Sequence, residues 1–289
     1  MMSSYRIAII ADIHGVLPPL QAVLQEIKHE PPDEIIVAGD FLGGPHPLKT
    51  LSLLQESGCR FILGNGEMNM LKMYHDDAPE VWWTHRQFEL GRWIYQKLTK
   101  DVFYFLETLP EHRVIQPQGC APFRVVHGSP WDINQLIFPD KNPEVLAKAL
   151  GMIPEDLLIF AHNHLPSVMK IDRKWAVNPG SVSNNLNGDP RASYATLTWD
   201  GSNWQSQINF VSYDRQNVID AFHESGFLEA ARPLARAFLE SILTGENTAV
   251  NFIHHAFNQA NRAGYRDSVA VPDEIWAAAE TSFHWKFEF

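Results

Sequence analysis

The chain reads as an α/β protein in which two sheets pack together and a helical segment follows. Three observations predict this: a β-α-β-α-β opening, a later change to β patterning, and a purely helical close. Its 289 residues suffice for one large domain, or one domain with an appendage.

Residues 7–11 form an unbroken apolar run, as expected of a strand buried on both faces. Pro18 and Pro19 open a helix with Leu20, Val23, Leu24 and Ile27 at helical spacing, and Pro31-Pro32 ends it. Residues 34–38 are the next strand. A helix carrying Leu48, Leu51, Leu53 and Leu54 stops at Gly58, and residues 61–63 are a third strand. Such a succession implies a parallel sheet with right-handed crossovers, and ligands gather beyond the carboxyl ends of such strands. Residues 67–110 are helix-rich. Their aromatics Trp82, Trp83, Phe88, Trp93, Tyr95, Phe103 and Phe105 are expected in the core. Residues 123–126 and 157–161 read as strands. Residues 168–171, 175–177, 194–199 and 208–211 read as an antiparallel meander, with a hairpin at Asp200-Gly201. From Asp214 the pattern is helical, over residues 217–224, 229–243, 249–263 and 272–279. The boundary is therefore set between a domain of residues 1–212 and a helical extension of residues 213–289.

Hydrophobic content of 45% and charged content of 20% are ordinary for a soluble globular chain. The net charge is -11 and no Lys/Arg-rich run occurs, so a nucleic-acid partner is not expected. Cys59 and Cys120 stand in no C-x-x-C spacing and are expected to be buried free thiols in a reducing cytosol. The apolar run at residues 7–11 is too short for a signal segment, and no apolar stretch is long enough to span a membrane. The expected location is the cytoplasm. Oligomeric state is left open.

Five short clusters each follow a strand-like run: Asp12-Ile13-His14, Gly39-Asp40, Gly64-Asn65, His127 and His162-Asn163-His164. Taken singly, none is diagnostic. Asp caps helices and shapes turns, and a lone His-x-His is more often structural. Together they place seven oxygen and imidazole donors at five strand ends, too many for one four-ligand site. They suit two divalent ions roughly 3.5–4 Å apart that clamp a phosphate and generate hydroxide at neutral pH. Hydrolysis of phosphate esters or anhydrides is the expected chemistry.

In order and spacing the clusters resemble the signature of the calcineurin-like metallophosphoesterases, with Gly64-Asn65-Gly66-Glu67 and Ala161-His162-Asn163-His164 among the matching segments. His127-Gly128-Ser129-Pro130, Asn178-Pro179-Gly180-Ser181 and the segment from Asp189 to Tyr194 are similar to a bacterial and archaeal phosphodiesterase branch described as diadenosine-tetraphosphatase-like. The resemblance covers roughly residues 5–215. It implies a four-layer α-β-β-α sandwich with a dinuclear site between the sheets. It implies Asp12, His14 and His164 on one metal, Asn65, His127 and His162 on the other, and Asp40 bridging with a water. That water, as hydroxide, would attack phosphorus. Asp40, Asn65 and His127 are the candidate catalytic residues. The cofactors implied are two divalent ions, of manganese, iron, zinc, cobalt or nickel, and the partner is a small phosphorylated substrate such as a nucleotide.

Departures from the family pattern narrow the expectation. Val16 follows Gly15 where many members carry Asn. Gly66 stands where many monoesterases carry a histidine that serves the leaving oxygen. The G-D-x-x-D-R-G pattern of protein phosphatases is absent, since Phe41-Leu42-Gly43-Gly44 follows Asp40. Glu67 is a candidate to hold the Asn65 loop, with a helix-dipole role as the alternative. His46, after the Gly43-Gly44-Pro45 loop, and Arg191 are candidate substrate contacts, with a structural ion pair the competing role for Arg191. His254 and His255 in the extension are expected to pack or face solvent. Two other functions compete: a non-catalytic metal-binding scaffold on the same fold, which the filled ligand set disfavours, and a nuclease, which the acidic composition disfavours.

Overall fold

β1 (Tyr5–Ile10) has no polar face in its buried part: Ile7 and Ile9 enter one apolar layer, Ala8 and Ile10 another. The unbroken apolar run is what a strand covered on both sides requires. The structure is a computed structural model and describes residues 5–266 and 269–289. α1 (Leu17–Ile27) leads to β2 (Glu34–Val37), and α2 (Pro47–Glu56) to β3 (Arg60–Phe61). β1, β2 and β3 pair in parallel, with Ile9 opposite Ile36 and Val37 opposite Phe61. α1 buries Leu20, Val23, Leu24 and Ile27, the predicted stripe. Each such side chain contributes ~1.5–3 kcal/mol before entropy losses.

Next come α3 (Asn65–Tyr74), α4 (Glu80–Thr84), a 3-10 turn (Arg86–Phe88), α5 (Glu89–Lys97) and α6 (Lys100–Glu107). β4 (His112–Ile115), β5 (Phe123–Val126), α7 (Pro143–Met152), β6 (Leu157–Ile159), β7 (Ser167–Ile171) and β8 (Lys174–Asn178) follow. They build a sheet of order β4-β5-β6-β8-β7. β9 (Ala192–Trp199) and β10 (Trp204–Val211) return to the first sheet, whose order is β10-β9-β1-β2-β3. The expected single meander is therefore split. The β7/β8 hairpin ends one sheet and the β9/β10 hairpin the other, because alternation identifies a strand and not the edge it joins. The Asp200-Gly201 turn forms as expected: Asp200 Oδ1 accepts from the Ser202 and Asn203 N–H groups, both at 2.8 Å.

Ile7, Ile9 and Ile36 meet Phe123, Val125 and Ile159 between the sheets. α1 and α2 cover the outer face of the first sheet. α7 covers that of the second, packing Leu146, Ala149 and Leu150 on Leu158 and Phe160. The result is a four-layer α-β-β-α sandwich.

The C-terminal segment is α8 (Arg215–Glu224), α9 (Phe227–Ala230), α10 (Leu234–Thr244), α11 (Thr248–Arg262) and α12 (Asp273–Ser282). The single helix expected over residues 229–243 is broken, since Pro233, which has no N–H, directly precedes α10. Phe222, Phe227, Leu239 and Ile242 join the apolar layer that holds Leu20 and Val23. α11 and α12 pack around Phe252 and Trp276. The Arg86 N–H donates to Asp273 Oδ1 at 2.9 Å and the Val271 N–H to Gln87 Oε1 at 2.7 Å, fastening this segment to the 3-10 turn.

Not all expected core aromatics are core. Trp93 and Phe103 are buried, Trp83 is 39% exposed, and Trp82 and Phe88 are half-buried beside a cavity described below. Cys59 and Cys120 are free but only half-buried. No helix among the described residues is long and apolar enough to cross a membrane.

Candidate metal centre

The five clusters converge beyond the carboxyl ends of β1, β2, β3, β5 and β6, at the seam between the sheets. Backbone bonds tie the strand ends together. The His14 N–H donates to Asp40 O at 2.9 Å, the Asp12 N–H to Gly39 O at 3.2 Å, and the Ser181 hydroxyl to Asp12 O at 2.6 Å. Space is tight: at Gly39, φ 88°, a Cβ would lie 2.6 Å from His127 Nδ1. Asp12, His14, Asp40, His162 and His164 all have φ between 46° and 70°. Only Asp76 and Asp172 share this left-handed conformation among the other described non-glycine residues. Each such residue costs ~1–3 kcal/mol, and such strain collects where a site demands it.

Asp12 Oδ1 lies 3.5 Å from His164 Nε2 and 4.0 Å from His14 Nε2, and those two nitrogens are 3.1 Å apart. Asp40 Oδ2 lies 3.5 Å from His127 Nε2 and 3.9 Å from His14 Nε2. Asn65 Oδ1 is 2.9 Å from His127 Nε2. The donor atoms of Asp12, His14 and His164 fall within 4.8 Å of one another, as do those of Asp40, His127 and His162. Bonds of ~2.1 Å to one cation require ligand separations of about 3–3.5 Å, so modest adjustment closes each set.

Carbonyl oxygens aim the imidazoles. His127 Nδ1–H donates to Ala38 O at 2.9 Å and His164 Nδ1–H to Asn184 O at 2.8 Å, which turns both Nε2 atoms toward the cluster. His162 Nε2–H donates to Asn134 O at 3.2 Å, so its Nδ1 carries the free lone pair.

Burial opposes ionisation of Asp12 and Asp40, yet the imidazoles win. His164 and His127 hold Asp12 below the ordinary carboxylate range, and His127 and His14 do the same for Asp40. Against its own burial, His127 is pushed up to about 10 by Asp40 and Asp12. Burial takes His14 down to about 4 despite Asp40. Two buried carboxylates thus demand positive charge between them. Asp12 Oδ1 is buried without a hydrogen-bond donor. This orphaned oxygen, with imidazole neighbours, fits a bound divalent cation.

Glu67 supports the centre. Its Oε2 accepts from the Asp40 and Gly64 N–H groups, both at 2.9 Å, and its Oε1 from the Leu42 N–H at 2.8 Å. Burial and nearby Asp40 push its carboxyl up to about 7, while the Leu42 and Gly64 N–H groups pull it down. Its reach to β2, and not only to the Asn65 loop, is more than the motif spacing indicates. Asn178 to Ser181 form the expected tight turn, with the Gly180 N–H on Asn178 Oδ1 at 2.8 Å. The Ser181 and Ser183 contacts to Asp12 O carry no sequence signal, since the partner is a backbone atom.

His46 and Arg191 are not in the lining of the cavity over the cluster. His46 occupies the N-cap position of α2 without a side-chain capping bond, and its backbone N–H donates to Gly15 O at 2.9 Å. Arg191 is paired with Asp189 at 2.5 Å and lies over the Phe210 ring at 4.9 Å, the structural role that competed with substrate contact. His255 bonds Ser282 Oγ at 3.0 Å, and neither donor group draws on a residue beyond His164 among the described residues. A cavity of about 740 Å³ opens on the centre, with His14, Asp40, Asn65, His162 and His164 in its lining.

A two-sheet sandwich with buried Asp and His side chains at its strand ends defines a metal-dependent phosphoesterase. Residues 5–202 match the calcineurin-like phosphoesterase superfamily domain, and the chain belongs to that superfamily. It is 27% identical over 234 residues to an uncharacterised protein of Methanocaldococcus jannaschii, covering 72% of this chain and 88% of the relative. It is 26% identical over 165 residues to the symmetrical bis(5'-nucleosyl)-tetraphosphatase of Pectobacterium atrosepticum, covering 53% of this chain and 57% of that protein. The chain thus spans little more than half the length of that relative. Among solved structures, a metallophosphoesterase from Sphaerobacter thermophilus superposes with a TM-score of 0.68 at 24% identity, over 84% of this chain and 100% of the other. A Pyrococcus horikoshii protein superposes with the same TM-score at 19% identity, over 83% and 98%. Both likenesses concern the fold.

Proposed function

We propose that the protein hydrolyses phosphodiester or phosphoanhydride bonds of a small substrate at a dinuclear centre. The observation that carries this is the convergence of two donor groups, Asp12/His14/His164 and Asp40/His127/His162, on one seam. In this assignment Asp12, His14 and His164 would hold one divalent ion, Asn65, His127 and His162 the second, and Asp40 would be shared. Asp40 Oδ2 supports sharing, since it lies within 4 Å of an imidazole from each set. Two ions bound there would supply Lewis acidity toward the phosphoryl oxygens and lower the pKa of nearby water.

The chain's own groups do the rest. Ala38 O, Asn134 O and Asn184 O fix the imidazole orientations, and the Gly66 N–H holds Asp40 Oδ1 at 2.7 Å. The apolar core between the sheets keeps water from the back of the cluster. An oxygen-and-imidazole donor set accepts manganese, iron, zinc, cobalt or nickel, and manganese is the first ion to test. The two unpaired thiols support a cytoplasmic setting. A nucleotide is one candidate substrate, supported by the tetraphosphatase name of the Pectobacterium relative. Residues 213–289 are assigned as an extension that shapes the cleft.

Elemental analysis combined with a bis(p-nitrophenyl) phosphate assay tests the proposal. The expected result is about two metal equivalents per chain and turnover that a chelator abolishes. Metal binding without turnover of any phosphoester would favour the scaffold reading instead.

A further inference from the structure

The cavity that opens on the donor cluster is hydrocarbon over most of its remaining wall. Trp82, Phe88 and Leu90, from the helices between β3 and β4, line it, as do Leu234, Phe238 and Ile253 of the C-terminal segment. None of the six is fully buried in a core; each keeps part of its surface open. Open apolar surface gathered at one place costs free energy and marks a binding surface. The volume, about 740 Å³, is that of a small-molecule site.

Charge narrows the ligand. Beyond the donor cluster, Lys141 is the single cationic side chain in the lining among the described residues. A dinucleoside polyphosphate carries several anionic groups and needs a matching set of lysines and arginines. A hydrocarbon chain needs none, and side chains such as Leu90, Leu234 and Ile253 offer it no unmet polar partner. The tail residues that complete the wall lie beyond residues 5–202, the part shared with the superfamily domain.

We propose that the cavity binds the hydrocarbon arm of a phosphodiester, so that the preferred substrates are singly charged phosphoesters of long apolar alcohols and not dinucleoside polyphosphates. The assignment rests on the phosphohydrolase reading above and names its substrate class.

The test is a series of alkyl p-nitrophenyl phosphates, from methyl to octyl, with the manganese-loaded enzyme. Water adds to phosphorus, the bond to p-nitrophenolate breaks, and alkyl phosphate, p-nitrophenolate and a proton are released. The expected kcat/KM rises about two- to fourfold per added methylene, mainly through KM, which corresponds to burial of each methylene. Ile253→Asn and, independently, Leu90→Asn should flatten that dependence. A symmetrical dinucleoside tetraphosphate should be a poorer substrate than the octyl ester. Calorimetry with octylphosphonate and methylphosphonate on the metal-free protein gives a readout without turnover. The octyl compound should bind more tightly, with a more negative heat-capacity change. A flat ester series, or preference for the tetraphosphate, overturns the substrate class and leaves the hydrolase standing. No turnover of any ester overturns the hydrolase; equal binding of the two phosphonates then overturns the cavity assignment as well.

Discussion

Glu67 Oε2 accepts the backbone N–H of Asp40 at 2.9 Å, so a carboxylate in the first turn of α3 holds the end of β2 in place. The same carboxylate takes the N–H groups of Leu42 and Gly64. One buried side chain thereby ties together the loops that carry Asp40 and Asn65.

Glu67→Gln should expose that role. An amide keeps one acceptor oxygen but turns an NH2 group toward a backbone N–H. Leaving such a buried donor unmatched costs ~1–3 kcal/mol. At roughly 2–4 °C per kcal/mol, the melting temperature should fall by about 2–12 °C. Differential scanning calorimetry with metal bound measures this, and an unchanged melting temperature would mean that Glu67 only fills space.

Asp40→Asn should remove the shared negative charge while the fold survives, since Asn keeps the volume and an oxygen for the Gly66 N–H. Loss of an outer-shell partner typically weakens metal binding by ~10–100-fold, so a shared ligand should cost more than that. Metal content and turnover of the purified variant decide it; near-wild-type values for both would show that Asp40 bridges nothing.

Proton release should accompany metal binding. Asp40 and Asp12, overcoming burial, raise His127 to about 10, so its imidazole is protonated at neutral pH in the metal-free protein. Nε2 must lose that proton to ligate, and affinity should rise with pH toward about 10. The sign for stability is the reverse. Raised from 6.5, His127 stabilises the metal-free fold fully below pH 6.5, and that contribution is lost as pH climbs through about 10. Titration calorimetry in two buffers of different ionisation enthalpy counts the protons, and a buffer-independent heat would contradict the assignment.

Gly66 is expected to set the leaving-group preference. No imidazole at this position can protonate a departing alkoxide, and general acid catalysis is typically worth ~10²–10⁴-fold. Aryl diesters and phosphoanhydrides should therefore outpace alkyl monoesters. Gly66 sits in the first turn of α3 with no left-handed φ, and an added Cβ would meet Asp40 Oδ1 at 3.1 Å, so a side chain needs only a small shift there. Gly66→His should raise monoesterase activity relative to diesterase activity. A wild-type enzyme fastest on alkyl monoesters would place an acid elsewhere, with His46 the first to examine.

By itself the sequence determined which donor side chains follow each strand and the run of elements that delivers them. The positions of Asp12, His14, Asp40, Asn65, His127, His162 and His164 at strand ends were legible because donor type and strand periodicity are local properties. The α1 stripe of Leu20, Val23, Leu24 and Ile27 was legible for the same reason. Tertiary structure decided what local pattern cannot encode. It sent β7/β8 to one sheet and β9/β10 to the other. It gave Glu67 and Ser181 backbone partners far away in the chain, which have no sequence mark. It turned Trp82 and Phe88 from expected core into the wall of a cavity. Periodicity reports which face of an element is apolar. What covers that face, another layer of protein or an open chamber, depends on how distant segments pack.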